Sequence, residues 1–376
     1  MSTQEIKYII LLSVPLYVSL ICGLLHFRML LKNDSPLGRK SLLLAVLAYM
    51  ASTFGWLLLI FYATLPQVFI FLDSFLLLAF MAIHVIYYHF IFEMTKINKD
   101  EKFGKIHYFL PVLLSVSMLV WSLFIPFEVR LSFTGPGSVY AEKYKLYSVF
   151  YSIMPVLFLV WNVVYALFGL QRIIRFRKIV VDYSADEQRT SFTWLYQFLL
   201  AMLATLPMTI IAITLPEGRI LPFWLIISFI ILLIFKDIVF AHNILLDNFV
   251  LIRPDADELQ DDEATSDAFE QTKYEATQRL ENYMHKNKPY LNPKLKITDM
   301  TRELATNRTT LSILINRTYG MNFSSYINRF RLGELDRIKK DPAHAHLSEF
   351  EQVLIAGFSD YRGYKRVKQR EEKFNS

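Results

Sequence analysis

Between Asn307 and Arg317 the chain separates apolar from hydrogen-bonding side chains by helical phase. Leu311, Leu314 and Ile315 recur at i, i+3 and i+4 and predict a buried face. Arg308, Thr309, Thr310, Ser312, Asn316 and Arg317 fall outside it. Arginine presents a fork of donors that fits guanine or phosphate, while Ser, Thr and Asn can meet base edges or phosphate. The chemistry these types suit is non-covalent reading of a polyanion. Asn307 is a suitable N-cap for this helix and Gly320 a suitable stop. Ahead of it, Met300 and Leu304 are expected to point inward from a shorter helix capped by Thr298, and Ala305-Thr306 turns the chain. Two short helices, a tight turn and a polar face on the second predict a helix-turn-helix, whose second helix enters the major groove by its amino-terminal residues.

The pattern continues. Phe323, Tyr326, Ile327 and Phe330 form the apolar stripe of a longer helix. A second unit follows, in which Phe350, Val353 and Leu354 lead into Ala356-Gly357-Phe358-Ser359-Asp360. Tyr361, Tyr364 and Val367 then stand among Arg362, Lys365, Arg366 and Lys368. Upstream, Phe269, Ala276, Leu280, Tyr283 and Met284 mark an amphipathic helix that ends at Lys288-Pro289-Tyr290.

From about residue 290 to 368 the chain resembles the AraC/XylS family of transcriptional regulators. The likeness rests on Tyr290-Leu-Asn-Pro293, Leu311-Ser312, Tyr319-Gly-Met-Asn-Phe323, Tyr326-Ile327, Arg329, Arg331-Leu332 and Ala356-Gly-Phe-Ser359. It covers a fifth of the chain. It implies two helix-turn-helix units bridged by one long helix, sequence-specific binding of double-stranded DNA as a homodimer, and a bacterial host. By position, Arg308, Thr309, Thr310 and Ser312 match the groove-facing start of the first recognition helix, with Asn316 and Arg317 following. Ser359, Asp360, Tyr361, Arg362, Lys365 and Arg366 match the second. Ala305 stands where many relatives have a turn glycine, Gln352 and Val353 where an apolar residue and an alanine are usual, and the chain reaches Ser376 without the family's closing Gly-x-Thr-Pro segment. The first unit is therefore expected to be the main DNA reader, and the second to bind more weakly or to serve mainly as a phosphate clamp.

These residues need a scaffold, and composition says what it is. The chain is 54% hydrophobic, with 31 Phe and 21 Tyr, too apolar for an average soluble domain. The apolar residues concentrate before residue 250. A membrane-spanning helix needs about 20 of them, and seven stretches qualify: 8–31, 42–65, 68–92, 108–127, 146–170, 192–215 and 220–240. The second and third are joined by only Pro66 and Gln67 and predict a tight hairpin. The first is too long, and its flank too acidic and polar, for a cleaved signal peptide. Loop charge sets orientation. Lys32, Arg39, Lys40, Lys96, Lys99, Lys102, Lys105, Arg172, Arg175, Arg177, Lys178 and Arg189 lie on one side, and Lys7, Arg130, Lys143, Lys145 and Arg219 on the other. The more basic side is cytoplasmic, so the amino terminus is expected outside and the carboxyl-terminal region in the cytoplasm, beneath an inner cell membrane.

Within the spans Asp73, His84 and His89 are the polar groups to watch. The histidines are five apart, off the i, i+4 face, and interior hydrogen bonding is their expected role. Pro15, Pro155 and Pro207 are expected to kink helices, and Trp56, Trp121 and Trp224 to anchor at the interface. The outer loop 128–145, with Phe133-Thr-Gly-Pro-Gly137, is turn-rich. Cys22 is the sole cysteine, which excludes an internal disulfide and a cysteine-based zinc site. No nucleophile elbow, HExxH or phosphate loop occurs, so neither enzyme activity, a metal nor a cofactor is expected.

From 253 to 270 one Arg faces eight Asp and Glu, and this acidic stretch is expected to be an extended linker. From 271 to 376 there are 20 Lys and Arg against 12 Asp and Glu, net +8, which suits a polyanionic partner. The expected organisation is all-α: a seven-helix transmembrane region (1–249), an acidic linker (250–268) and a cytoplasmic helical domain with two helix-turn-helix units (269–376). The expected function is a membrane-anchored, DNA-binding transcriptional regulator that answers a small molecule or external signal. The alternative is a seven-span receptor or transporter-like protein whose basic tail binds anionic lipid or a protein partner.

Overall fold

The computed structural model describes residues 3–32, 35–98, 100–134, 140–207, 210, 223–252 and 266–374. The regular structure among them is helical, apart from an isolated antiparallel bridge between Ser184 and Lys296. The helices of the apolar half are α1 (Thr3–Lys32), α2 (Arg39–Thr64), α3 (Pro66–Phe69), α4 (Asp73–Met94), α5 (Ile106–Ser122), α6 (Phe127–Ser132), α7 (Lys145–Val180), α8 (Glu187–Thr190), α9 (Thr193–Ala204) and α10 (Phe223–Leu245). Those of the charged half are α11 (Ser266–Asn287), α12 (Ile297–Glu303), α13 (Arg308–Tyr319), α14 (Phe323–Lys340), α15 (Glu349–Ile355) and α16 (Tyr361–Phe374).

Among the described residues, five helices are long and apolar enough to cross a membrane: α1, α2, α4, α7 and α10. They are consistent with a multi-pass membrane protein. The expected fourth span is an apolar helix of 17 residues, at the lower end of the length that crosses hydrocarbon. The expected sixth begins as α9, and residues 208, 209 and 211–215 lie outside the described residues, as do 220–222 of the seventh. Most of the linker (253–265), Lys99, residues 135–139 and Arg219 also lie outside them.

Three boundaries differ from expectation. The hairpin at Pro66-Gln67 is longer than two residues, because Pro66 starts the short helix α3 and α4 begins only at Asp73. Proline at a first helical position gives up an N–H that would have no partner there. Helix α7 runs ten residues past the expected end at Leu170. Ile173, Phe176 and Val180 are buried along that extension while its Arg and Lys residues lie between them, an amphipathic pattern that sustains a helix beyond the apolar run. Helix α12 starts at Ile297, so Thr298 is inside it and does not cap it; the Asp299 carboxylate reaches back to accept the Lys296 N–H at 2.8 Å.

The chain divides into two compact units, Met1–Thr95, Lys102–Ile173 and Thr193–Asp247 in the first, and Lys96–Glu101, Ile174–Phe192 and Asn248–Ser376 in the second. In the first, the buried Tyr49 hydroxyl donates to the Asp237 carbonyl at 2.7 Å; Phe240 packs against the Tyr49 ring and meets Tyr87 and Phe90 edge to face, as Tyr87 meets Phe198. Leu24, Phe27 and Leu31 on α1 and Leu43, Leu47 and Met50 on α2 face outward, a surface suited to lipid rather than water. Trp56 is buried against the Phe80 ring. Asp73 and His84 line one cavity, and His89 does not. His84 Nδ1 bonds the Phe80 carbonyl at 2.8 Å and His89 Nδ1 the Tyr108 hydroxyl at 2.9 Å.

Candidate nucleic-acid interface

In the second unit α12 and α13 are joined through Ala305, held at φ +48°. Asn307 Oδ1 accepts the Thr310 N–H at 2.7 Å and so starts α13, while Gly320 ends it in the left-handed region at φ +67°. Leu311, Leu314 and Ile315 are buried as expected. That orientation leaves Thr309, Thr310, Asn316 and Arg317 exposed, with Arg308 and Ser312 half-buried. The Asn316 amide folds back to donate to the Ser312 carbonyl at 3.0 Å. The Arg308 guanidinium lies over the Tyr183 ring, 5.3 Å from its centroid.

Helix α14 carries the apolar stripe: Phe323, Tyr326 and Ile327 are buried and Phe330 half-buried. Its later residues Leu335 and Ile338 join Val353, Ala356, Phe358, Tyr364 and Val367 in one core cluster. This helix therefore belongs to both helix pairs. Phe350 and Leu354 on α15 are exposed; Ser348 caps that helix, exchanging hydrogen bonds with Glu351. The connection to α16 turns at Gly357, φ +95°.

The second set of expected contact residues is divided in role. Asp360 accepts the Gly363 N–H at 2.8 Å and so caps α16. The Tyr361 hydroxyl donates to Glu349 at 2.6 Å. Arg362 and Lys365 are exposed, Lys365 over the Tyr361 ring. Ser359 and Arg366 are engaged elsewhere: the Ser359 hydroxyl donates to Asp186 at 3.0 Å, and Arg366 Nη2 to the Glu187 carbonyl at 3.4 Å.

Those partners come from the segment between α7 and α9, whose role sequence reasoning missed. Residues 181–183 turn off the end of α7, and residues 184–186 pass through the second unit before α8 begins at Glu187. Ser324 N–H donates to the Val181 carbonyl, Ile297 N–H to Tyr183, and Ala185 N–H to Leu295, all at 2.9–3.1 Å. Arg331, only 1% exposed, closes the arrangement. It donates to the carbonyls of Ala185 (2.7 Å), Tyr290 (2.8 Å) and Asn292 (2.8 Å) and to Asn328 Oδ1 (2.9 Å). Burial pulls its guanidinium down to about 10, opposed by Asp186 and Glu187, so it stays charged at neutral pH. Burial likewise raises the Asp182 carboxyl, opposed by the Phe323 N–H, Arg308 and Asn316. In the sequence the stretch looks like a short polar loop after a basic helix. Backbone pairing carries no side-chain signature, so no local pattern reveals its partners.

Searches of family models, curated proteins and solved structures found no match to this chain.

Proposed function

We propose that the chain is a membrane-anchored, sequence-specific DNA-binding transcriptional regulator. Helices α12–α13 and α15–α16 are its two helix-turn-helix units, α14 bridges them, and the protein acts as a homodimer. Seven spans carry it, with the second unit in the cytoplasm. The observation that carries the reading is the outer face of α13. A capped and terminated helix offers Thr309, Thr310 and Arg317 to solvent over a fully buried apolar side. Ordered polar side chains at a helix start suit the major groove, whereas attraction to anionic lipid needs only net charge.

The first unit has room for a signal. A cavity of ≈ 530 Å³ is lined by Trp56, Phe80, Tyr87 and Phe158, with His84 and Lys236 among its few polar groups. That volume falls within the range of small-molecule sites, roughly 300–1,000 Å³. The lining suits a mostly apolar molecule with one or two polar atoms. Such a ligand regulates only by the difference in its affinity for two states of the protein.

The test uses the full chain in nanodiscs of zwitterionic lipid, because a fragment starting at 271 would leave Arg331 without its Ala185 partner. Genomic fragments retained at physiological salt are sequenced. The expected result is one enriched motif that weakens about tenfold with Arg317→Ala combined with Thr309→Ala, as lost base or phosphate contacts cost about 1–3 kcal/mol. Uniform retention of all sequences, unchanged in the variant, would overturn the regulator in favour of a basic tail.

A further inference from the structure

We propose that the 182–190 segment is an autoinhibitory contact. It holds both candidate reading helices by the side chains that DNA needs, and full-affinity DNA binding requires its acidic turn to withdraw. This rests on the DNA-binding reading above.

The segment places three carboxylates, Asp182, Asp186 and Glu187, within six residues. Each meets a different part of the reading surface. Asp182 interacts with Arg308 and Asn316 of α13. Asp186 accepts the Ser359 hydroxyl at the start of α16. Glu187 takes a two-pronged bond from Arg370, at 2.9 and 3.2 Å, and its carbonyl takes Arg366. Four of these partners, Arg308, Asn316, Ser359 and Arg366, are among those the sequence assigns to DNA. A carboxylate offers the same charged acceptor oxygens as a phosphate, so segment and DNA compete for the same donors.

The hold is incomplete on both sides. Asp182 Oδ1 and Arg366 Nε are buried without a hydrogen-bond partner. Unsatisfied buried polar atoms subtract from the net stability of a contact, which is the condition a displaceable contact must meet. Anchoring and masking are also divided along the segment. Backbone bonds and Arg331 fix residues 181–185, whereas residues 186 and 187 reach α16 through side chains and one long bond. The acidic turn can therefore swing away while the root stays. Helix α7 leads into the segment and α9 leads out of it, so a shift of either helix acts directly on the turn.

Gly363 supplies the test. A Cβ built there lies 3.6 Å from the Glu187 Cβ, inside the roughly 3.5–4.5 Å of a disulfide. In a Cys22→Ser background, which removes the sole cysteine, Glu187→Cys with Gly363→Cys should close on oxidation. The full chain in nanodiscs is titrated with its selected DNA sequence. The oxidised protein should bind at least about tenfold more weakly than the same protein reduced, as expected when the competent population is depleted. Equal affinity in the two redox states would overturn the proposal and make the turn a permanent part of the domain. Absence of specific binding in the Cys22→Ser parent would instead defeat the DNA-binding reading itself, and the proposal with it. A second variant does not depend on the disulfide: Asp186→Asn with Glu187→Gln should strengthen binding severalfold. Glu275→Gln with Asp336→Asn makes the same charge change at exposed positions away from the segment. An equal gain from this control would reduce the effect to net charge and overturn the proposal.

Discussion

Ala305 and Gly357 both stand at positive φ, yet they answer to different constraints. Ala305 at φ +48° is strained by its own backbone, because the left-handed region costs a side-chain-bearing residue about 1–2 kcal/mol. Gly357 at φ +95° has no room either: a Cβ there would lie 2.3 Å from the Tyr290 carbonyl oxygen and 2.8 Å from Leu291 Cα. Backbone atoms cannot step aside as a flexible side chain can. Gly357→Ala should therefore cost about 3 kcal/mol or more and expose residues 290–367 to hydrogen exchange in the full chain. Ala305→Gly should stabilise by about 0.5 kcal/mol, since relief of strain exceeds the entropy glycine gains when unfolded. An unchanged exchange profile in Gly357→Ala would show that this turn relaxes freely. The sequence revealed the first of these positions as a turn with an unusual residue. It could not reveal the second as a collision site, because Tyr290 is distant along the chain.

Among elements, α14 organises the second unit. Its first half buries Phe323, Tyr326 and Ile327, and its second half places Leu335 and Ile338 in the core beneath α15 and α16. Arg331, between the two halves, links the helix to the 181–187 segment and to residues 290–292 at once. Arg331→Met would keep the bulk but leave the buried carbonyls of Ala185 and Tyr290 without this donor, at about 1–3 kcal/mol each. The expected outcome is a loss of about 3 kcal/mol or more, with exchange rising together at residues 181–187 and 290–295. A rise confined to α14 would mean that the carbonyls find other partners. The apolar periodicity of α14 was readable directly from residues 323–330. Arg331 was readable only as part of a family pattern, and its role was not, since the carbonyls it binds come from three separate places in the chain.

For the molecule as a whole, loop charge predicts an orientation that labelling can check. In a Cys22→Ser background, Glu142→Cys should react with a membrane-impermeant maleimide in intact cells, and Glu371→Cys only after lysis. The reverse pattern would put the second unit outside and end its candidacy for DNA. The sequence by itself determined the helical class, the apolar first half and the start and stop of α13, because these follow from composition, period and capping along a short stretch of chain. It also indicated which α13 side chains face outward, since three buried positions fix a helix's rotation. Tertiary structure alone decided that residues 181–187, written as an inter-helix loop in the apolar half, pack within the charged half against both candidate reading helices. Residues 181–185 are held by backbone pairs and by one buried arginine's bond to a carbonyl, groups common to every sequence, so only the folded chain shows which of them meet.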